Sequence, residues 1–390
     1  MSELLNENWG ETKDALLEGL SGSARSTMAV TLENTKSYLA EAATAGASTS
    51  GNVATLNRVI LPVIRRVMPS VIANEIVGVQ PMAGPVGQIH TLRVRYADAF
   101  TGSAGGNTTA GEEALSPFKV AEGYSGNVAS ADTAGSTSAN EGKAGNKLSI
   151  QILKQPVEAK TRKLSARWTF EAAQDANSMH GIDMEAEIMS ALAQEITAEI
   201  DQEILRSLRG IASTDFSFDQ TGVSGTATYV GDEHAALAVT MNRAANAIAQ
   251  RTRRGAGNWA VVGTDALTAI QSASTSAFAR TTEGSFEAPV NQKMVGTLNG
   301  AMKVYVDTYQ GTNDTVLVGY KGSSEADAAA FYCPYIPLMS SGTVLDPDSF
   351  EPVVGFMTRY GYVALTNTAS SLGNAGDYLQ KINITNLTFV

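Results

Sequence analysis

Apolar positions along this chain change their spacing several times, and each change marks an element. In residues 1–41, Leu16, Leu17 and Leu20 fall at helical spacing, as do Met28, Leu32 and Leu39 more loosely. That predicts two short amphipathic helices broken near Ser21-Gly22-Ser23. Residues 42–52, AATAGASTSGN, predict a flexible linker. Residues 53–80 turn apolar again with basic punctuation, and Pro62 and Pro69 break any long helix there. They predict an extended arm with helical turns. Leu92, Val94 and Tyr96 alternate with Arg93 and Arg95, which predicts a half-buried strand over 88–96.

Residues 98–148 hold 9 Gly, 11 Ser or Thr and 10 Ala among 51 residues. Strand pattern lies on both sides, with Leu148, Ile150 and Ile152 on the far one. A structureless stretch of this length is unusual inside a compact domain; the simple picture is a long protruding hairpin. Leu164, Ala166, Trp168 and Phe170 alternate as a further strand.

A long helix is predicted over 183–209. Asp183, Glu185 and Glu187 stand in its first turns, Arg206 and Arg209 in its last, and Gly210 follows as a cap. Ile188, Leu192, Ile196, Ile200, Ile204 and Leu208 recur every four residues. A four-residue step overshoots the 3.6 period, so this ridge slants around a cylinder roughly 40 Å long. From about 232 helix and strand alternate: a helix marked by Leu237, Met241, Ala244 and Ile248, a buried strand at 258–263, and a helix at 264–273. A turn at Asn299-Gly300 and strands at 315–320 and 329–333 follow. Strand pattern returns over 353–366 and 379–390.

Composition narrows the function. The 390 residues are 43% hydrophobic and 17% charged, so the chain as a whole is globular. With Lys plus Arg at 28 against Asp plus Glu at 39, the net charge of −11 argues against a dedicated nucleic-acid binder. One cysteine, Cys333, allows no intrachain disulfide. No apolar run reaches the roughly 18 residues of a membrane span, and the acidic start does not read as a signal peptide. Synthesis in the cytoplasm is the expectation.

Enzyme motifs fail one by one. Gly142-Lys143 resembles the end of a phosphate loop, but Ala144 follows and Thr137 stands where the first glycine belongs. Gly255-Ala256-Gly257-Asn258-Trp259-Ala260 fits the loose dinucleotide pattern in an inverted context, after a helix and before a strand. His90, His180 and His234 are far apart, and His180 reads as a turn or capping residue. Glu195, Glu199 and Glu203 share a helix face and read as a solvated or interface surface. Arg251, Arg253 and Arg254 read as a basic helix end. No catalytic, cofactor-binding or metal-binding set emerges, so no enzyme and no cofactor is expected. An apolar arm and a projecting hairpin call for neighbours.

Specific strings then carry a resemblance. VMPSVIANEIVGVQPMAGPVGQIHTLRVRY (67–96), the stretch EAKTRKLSARWTFEAAQDANSMHGIDMEAEIMSALAQEITAEIDQEILRSL (158–208), TRRGAGNWAVV (252–262) and FYCPYIPLMSSGTVLDPDSFEPVVGFMTRYGYVAL (331–365) are collinear. Together they resemble the major capsid protein of T-even-type tailed phages. The resemblance implies an α+β chain of the HK97-like capsid fold. Its parts would be an acidic N-terminal propeptide (1–41), an N-terminal arm (42–87), an E-loop (88–152), a P-domain (153–214 and 346–390) with spine helix 183–209, and an A-domain (215–345). It implies hexamers tiling an icosahedral head around double-stranded DNA. Partners would be a vertex protein, a scaffold and a prohead protease during assembly, and a decoration protein, with no membrane. The T-even prototype carries a folded insertion in its E-loop; here the short Gly/Ser/Thr/Ala-rich stretch implies that the insertion is absent.

The family's protease favours Leu or Ile, any residue, then Glu before its cut. Leu39-Ala40-Glu41, followed by Ala42, fits, and Leu16-Leu17-Glu18 fits as a secondary site. The resemblance thus implies removal of residues 1–41, which carry seven acids against three bases. Three other readings stand beside the shell protein: the pentameric vertex paralogue of the same family, an encapsulin-like compartment protein, and a soluble α/β enzyme.

Overall fold

The structure is a computed structural model. It describes part of 9–34, then residues 72–101, 107–112, 114, 123–126, 134–142, 144–180, 183–223, 230–252, 254–272, 278–280, 294–310, 315–324, 327–349, 351–365 and 375–387. In chain order its strands are β1 (Gly78–Val79), β2 (Val86–Tyr96), β3 (Leu148–Glu158), β4 (Lys160–Arg167), β5 (Ser213–Asp219), β6 (Trp259–Val262) and β7 (Phe278–Arg280). They continue as β8 (Met294–Leu298), β9 (Met302–Val306), β10 (Thr315–Gly319), β11 (Ala330–Ser340), β12 (Val344–Leu345), β13 (Pro352–Ala364) and β14 (Leu379–Thr385). The longer helices are α1 (Phe170–His180), α2 (Met184–Ile211), α3 (Val230–Thr252) and α4 (Thr264–Ser272). Helix and strand are mixed throughout, the α+β class that the sequence implies.

Two compact units share these elements. The first takes residues 1–87, 157–208 and 330–363. Its sheet has β11 parallel to β1 and next to β13, and β13 antiparallel to β12 and β4. Along β13 the side chains alternate between buried and half-buried, the period of a strand with one covered face. Helix α2 buries Leu192, Ile196, Ile200, Ile204 and Leu208 with Ala193, Asp201 and Leu205 beside them. Each four-residue step turns that ridge by about 40°, so burial migrates around the helix toward its C-terminus. The buried Asp201 carboxylate accepts the Ile72 N–H at 3.0 Å.

The second unit takes residues 88–156, 209–329 and 364–390. Its seven-stranded sheet has the order β5-β14-β10-β6-β9-β8-β7. The β14–β5 and β6–β9 pairs are parallel, and the other neighbours run antiparallel. All four β6 residues are buried, and Ala260 and Val262 join Leu237, Met241 and Ile248 of α3 and Ile270 of α4 in one core. Asn299 and Gly300, both at positive φ, turn β8 into β9, as the Asn-Gly pair predicts.

Several expectations need correction. The strand over Leu164–Phe170 stops at Arg167, and Phe170 opens helix α1. The Thr169 hydroxyl accepts the Ala172 N–H at 3.3 Å, an N-cap that the strand-like alternation hid. His180 therefore closes α1 and does not open the long helix. Gly210 is not a left-handed cap: α2 runs through it to Ile211. Strand β11 continues past 333 to Ser340, and the Pro334 carbonyl accepts the Met82 N–H at 3.0 Å. Strand β5, polar at alternate positions, gave no sequence signal and is held by parallel pairing to β14.

Candidate assembly surfaces

Strands β2 and β3 form a two-stranded ribbon. On β3, Leu148, Ile150 and Ile152 point one way and are 55%, 70% and 62% exposed. A two-stranded ribbon is marginal in water by itself, and three large aliphatic side chains in solvent forgo roughly 1.5–3 kcal/mol each relative to burial. These residues are placed for covering by another surface.

The Gly-rich stretch between the two strands is not structureless where it is described. Tyr96, Phe100, Ala114 and Tyr124 form a small buried cluster, with the Tyr96 and Tyr124 rings edge to face at 4.6 Å. Phe100 and Thr108 exchange backbone hydrogen bonds at 2.9 and 2.8 Å. The Tyr124 hydroxyl donates to the Lys147 carbonyl at 2.6 Å, and the Asp98 carboxylate accepts the Lys147 N–H at 2.9 Å. Four apolar residues spaced through a polar segment have no periodicity, which is why the sequence showed only a loop. This small core qualifies the expectation of a bare loop with no folded insertion.

In the first unit the described residues before position 35 are docked. Leu17, Met28, Thr31 and Leu32 are buried. The Asn34 side-chain amide donates to the carbonyls of Met82 and Tyr335 at 2.8 and 3.0 Å, and Lys13 pairs with Glu33 at 2.9 Å. The processing residues Leu39, Glu41 and Ala42 lie outside the described residues, as does the arm up to residue 71.

Two of the three carboxylates on the α2 face are tied down. Arg162 on β4 reaches Glu199 with one terminal nitrogen and Glu203 with the other, while Glu195 stays exposed. Glu199 keeps the solvent exposure expected of this face while pairing with Arg162, whereas the half-buried Glu203 is tied into the unit and departs from that expectation. Arg162 Nε donates to the Tyr360 hydroxyl at 2.6 Å, and that hydroxyl donates to Glu203. Burial works against the Glu203 charge, but the hydrogen bonds from Arg162 and Tyr360 outweigh it and hold the carboxyl below the usual range. The same bonds raise the Arg162 pKa against the cost of its burial. This pairing spans some forty residues of sequence and left no local signal.

The other chemical candidates are structural. Arg251 donates to the Ser213 hydroxyl at 2.7 Å and pairs with Asp215, and Arg254 pairs with Asp327 at 2.7 Å; Arg253 lies outside the described residues. A Cβ on Gly255 would stand 2.5 Å from the Tyr320 ring, and one on Gly257 2.9 Å from Val318. Those glycines permit close packing, so the dinucleotide pattern has a structural cause. His234 is buried and bonded to the Ser272 hydroxyl at 2.6 Å. Burial pushes the Cys333 thiol up to about 11, which leaves it unreactive. Among the described residues no His, Cys, Asp and Glu group could hold a metal, and no helix is long and apolar enough to cross a membrane.

Comparison with known proteins gives these surfaces a context. A family model described as major capsid protein Gp23 matches residues 53–384. The major capsid protein of Vibrio phage KVP40 is 31% identical, over 84% of this chain and 80% of its own. That of Enterobacteria phage T4 is 29% identical, over 81% and 77%. Among solved structures, the capsid of Myoviridae phage XM1 aligns with a TM-score of 0.45 at 9% identity, covering 79% of this chain and 90% of that one. The mature capsid of bacteriophage PhiM1 aligns at 0.45 and 10%, covering 79% and 84%. The architecture itself is α+β, with a two-stranded ribbon and one long helix. On the family match across residues 53–384, the chain belongs to the Gp23 major capsid protein family.

Proposed function

We propose that this chain is the hexamer-forming head-shell protein of a tailed phage, and that shells of it enclose double-stranded DNA. The observation that carries the reading is the apolar stripe Leu148, Ile150 and Ile152, exposed on a ribbon in a chain of the capsid family. In a shell the ribbon overlaps a neighbouring subunit, which supplies the cover that one chain lacks. Binding energy comes from such overlap and needs no ligand. The net charge of −11 suits a wall that leaves packed DNA free to slide and leave.

In this reading residues 1–41 are a propeptide, 42–87 an arm, 88–152 the E-loop, 153–214 with 346–390 the P-domain, and 215–345 the A-domain. Scaffold, prohead protease, vertex protein and a decoration protein are its partners during and after assembly. The protease cuts between Glu41 and Ala42, recognising Leu39 and Glu41. The test is the intact mass of this chain in virus-sized particles from a producing lysate. A chain beginning at Ala42 supports both shell and cut. A full-length chain keeps the shell and removes the cut. Absence from the particles overturns the reading.

A further inference from the structure

We propose that helix α1 of one copy docks in a groove on the first-unit sheet of a second copy, with Asp175 facing Lys163. The proposal rests on the shell-forming reading above. Helix α1 has eleven residues and buries none of them. Helices this short are marginal in water without tertiary packing. Ala172, Ala176 and Met179 fall at i, i+4 and i+7, on one stripe. Met179 is 78% exposed and stands one turn beyond Asp175. Glu171 lies one turn before Asp175, and among the described residues neither carboxylate has an ion-pair partner. The helix thus presents a narrow apolar strip with a protruding methionine and two free negative charges.

The complementary surface is on the same unit. An open groove of about 430 Å³ lies between β4, β11 and β13. Lys163, Ser165 and Met357 border it on the half-exposed face of the β4–β13 pair, the face away from the buried Phe356. Among the described residues Lys163 has no carboxylate partner. Groove and helix match in two ways: the half-buried Met357 for the protruding methionine, and a lysine without a carboxylate partner among the described residues for the two carboxylates. Charge complementarity of this kind selects orientation and partner. Helix and groove are different surfaces of one chain, so each copy can give its helix to one neighbour and receive another's. Such a head-to-tail contact propagates, and closes into rings when the rotation allows. A shell of identical subunits needs contacts of that type.

Disulfide trapping in assembled particles tests this. Full-length Asp175→Cys chains and Lys163→Cys chains are produced together, and the purified particles are mildly oxidised. The native Cys333 is 2% exposed and contributes no background. Disulfide-linked dimers are expected from mixed particles and not from particles of either variant alone. Dimers from Asp175→Cys particles alone would put helix against helix and overturn the proposal. Intact mixed particles without dimers would overturn it while leaving the shell-forming reading in place. Failure of the unsubstituted chain to form particles would sink both. If a cysteine variant blocks assembly, charge reversal decides: Asp175→Lys and Lys163→Glu should each cut particle yield about tenfold, the effect of losing one contact worth ~1.4 kcal/mol, and the double variant should restore it. A double variant no better than the singles would refute the pairing.

Discussion

Arg162 Nε donates to the hydroxyl of Tyr360 at 2.6 Å, and through that hydroxyl and its own terminal nitrogen Arg162 holds Glu203 on the long helix. Three side chains from β4, β13 and α2 thereby fix helix to sheet within the first unit. Arg162 and Glu203 are 30% and 37% exposed, so solvent screens part of their attraction. Replacing Arg162 with Met leaves two carboxylates without their cation. The expected loss is about 1–2 kcal/mol, read as a lower thermal midpoint. Tyr360→Phe removes one donor and one acceptor and should cost about 1 kcal/mol. In the double variant the losses should fall short of their sum, because the two residues act on one carboxylate.

The depressed pKa of Glu203 makes stability depend on pH in one direction. Its folded value lies below the unfolded value of about 4.3. The contribution is therefore complete above the unfolded pKa and disappears as pH falls through the folded one. Asp215 behaves likewise in the second unit, held down by the hydrogen bond from Gln380 and, against the cost of burial, by the charge of Arg251. Urea midpoints measured from pH 7 down to pH 3 should fall steeply below about pH 5. Glu203→Gln should start lower at pH 7 and fall less. An unchanged acid slope in that variant would mean that Glu203 does not carry the effect.

Two glycines should respond oppositely to alanine. A Cβ on Gly319 would stand 2.1 Å from the Trp259 ring, which is 2% exposed and walled in by the core. Gly319→Ala should destabilise by about 1–3 kcal/mol or prevent folding, because neither strand nor ring can retreat. Gly210 sits inside α2 with nothing within 4 Å of its Cβ position. Gly210→Ala should stabilise by about 0.5–1 kcal/mol through helix propensity and a less disordered unfolded chain. Paired thermal melts of the two variants decide the signs.

What the sequence disclosed follows the range of the physical signal. The long helix, the β8–β9 turn and the buried strand Trp259–Val262 were legible because periodicity and turn chemistry are local. Helix α1 was missed because the Leu164–Trp168 alternation runs into Phe170, although Thr169 followed by Glu171, Ala172 and Ala173 is a capping and helix-forming signal. Strand β5 was missed because its partner β14 lies some 165 residues later. Of the assembly surfaces, the apolar alternation of Leu148, Ile150 and Ile152 was visible, but its exposure was not. The Arg162–Glu203 pair and the groove at Lys163 exist only once the strands are placed side by side.

Processing supplies the last prediction. The described residues before position 35 are docked: Met28 and Leu32 are 2% and 1% exposed, and Asn34 bonds to the carbonyls of Met82 and Tyr335. Cutting the Glu41–Ala42 bond would free a docked segment whose departure uncovers apolar surface and two hydrogen-bond acceptors on the first unit. A bond to a neutral partner is worth about 1 kcal/mol, so Asn34→Ala should loosen the segment without releasing it. Limited proteolysis of the uncut chain should then cleave within residues 1–41 faster in that variant. Glu41→Lys should leave the chain full-length in particles, with the unsubstituted chain beginning at Ala42. Intact masses of both chains from the same preparation read this directly. A Glu41→Lys chain still cut before Ala42 would show that recognition rests on something other than the Leu39 and Glu41 side chains.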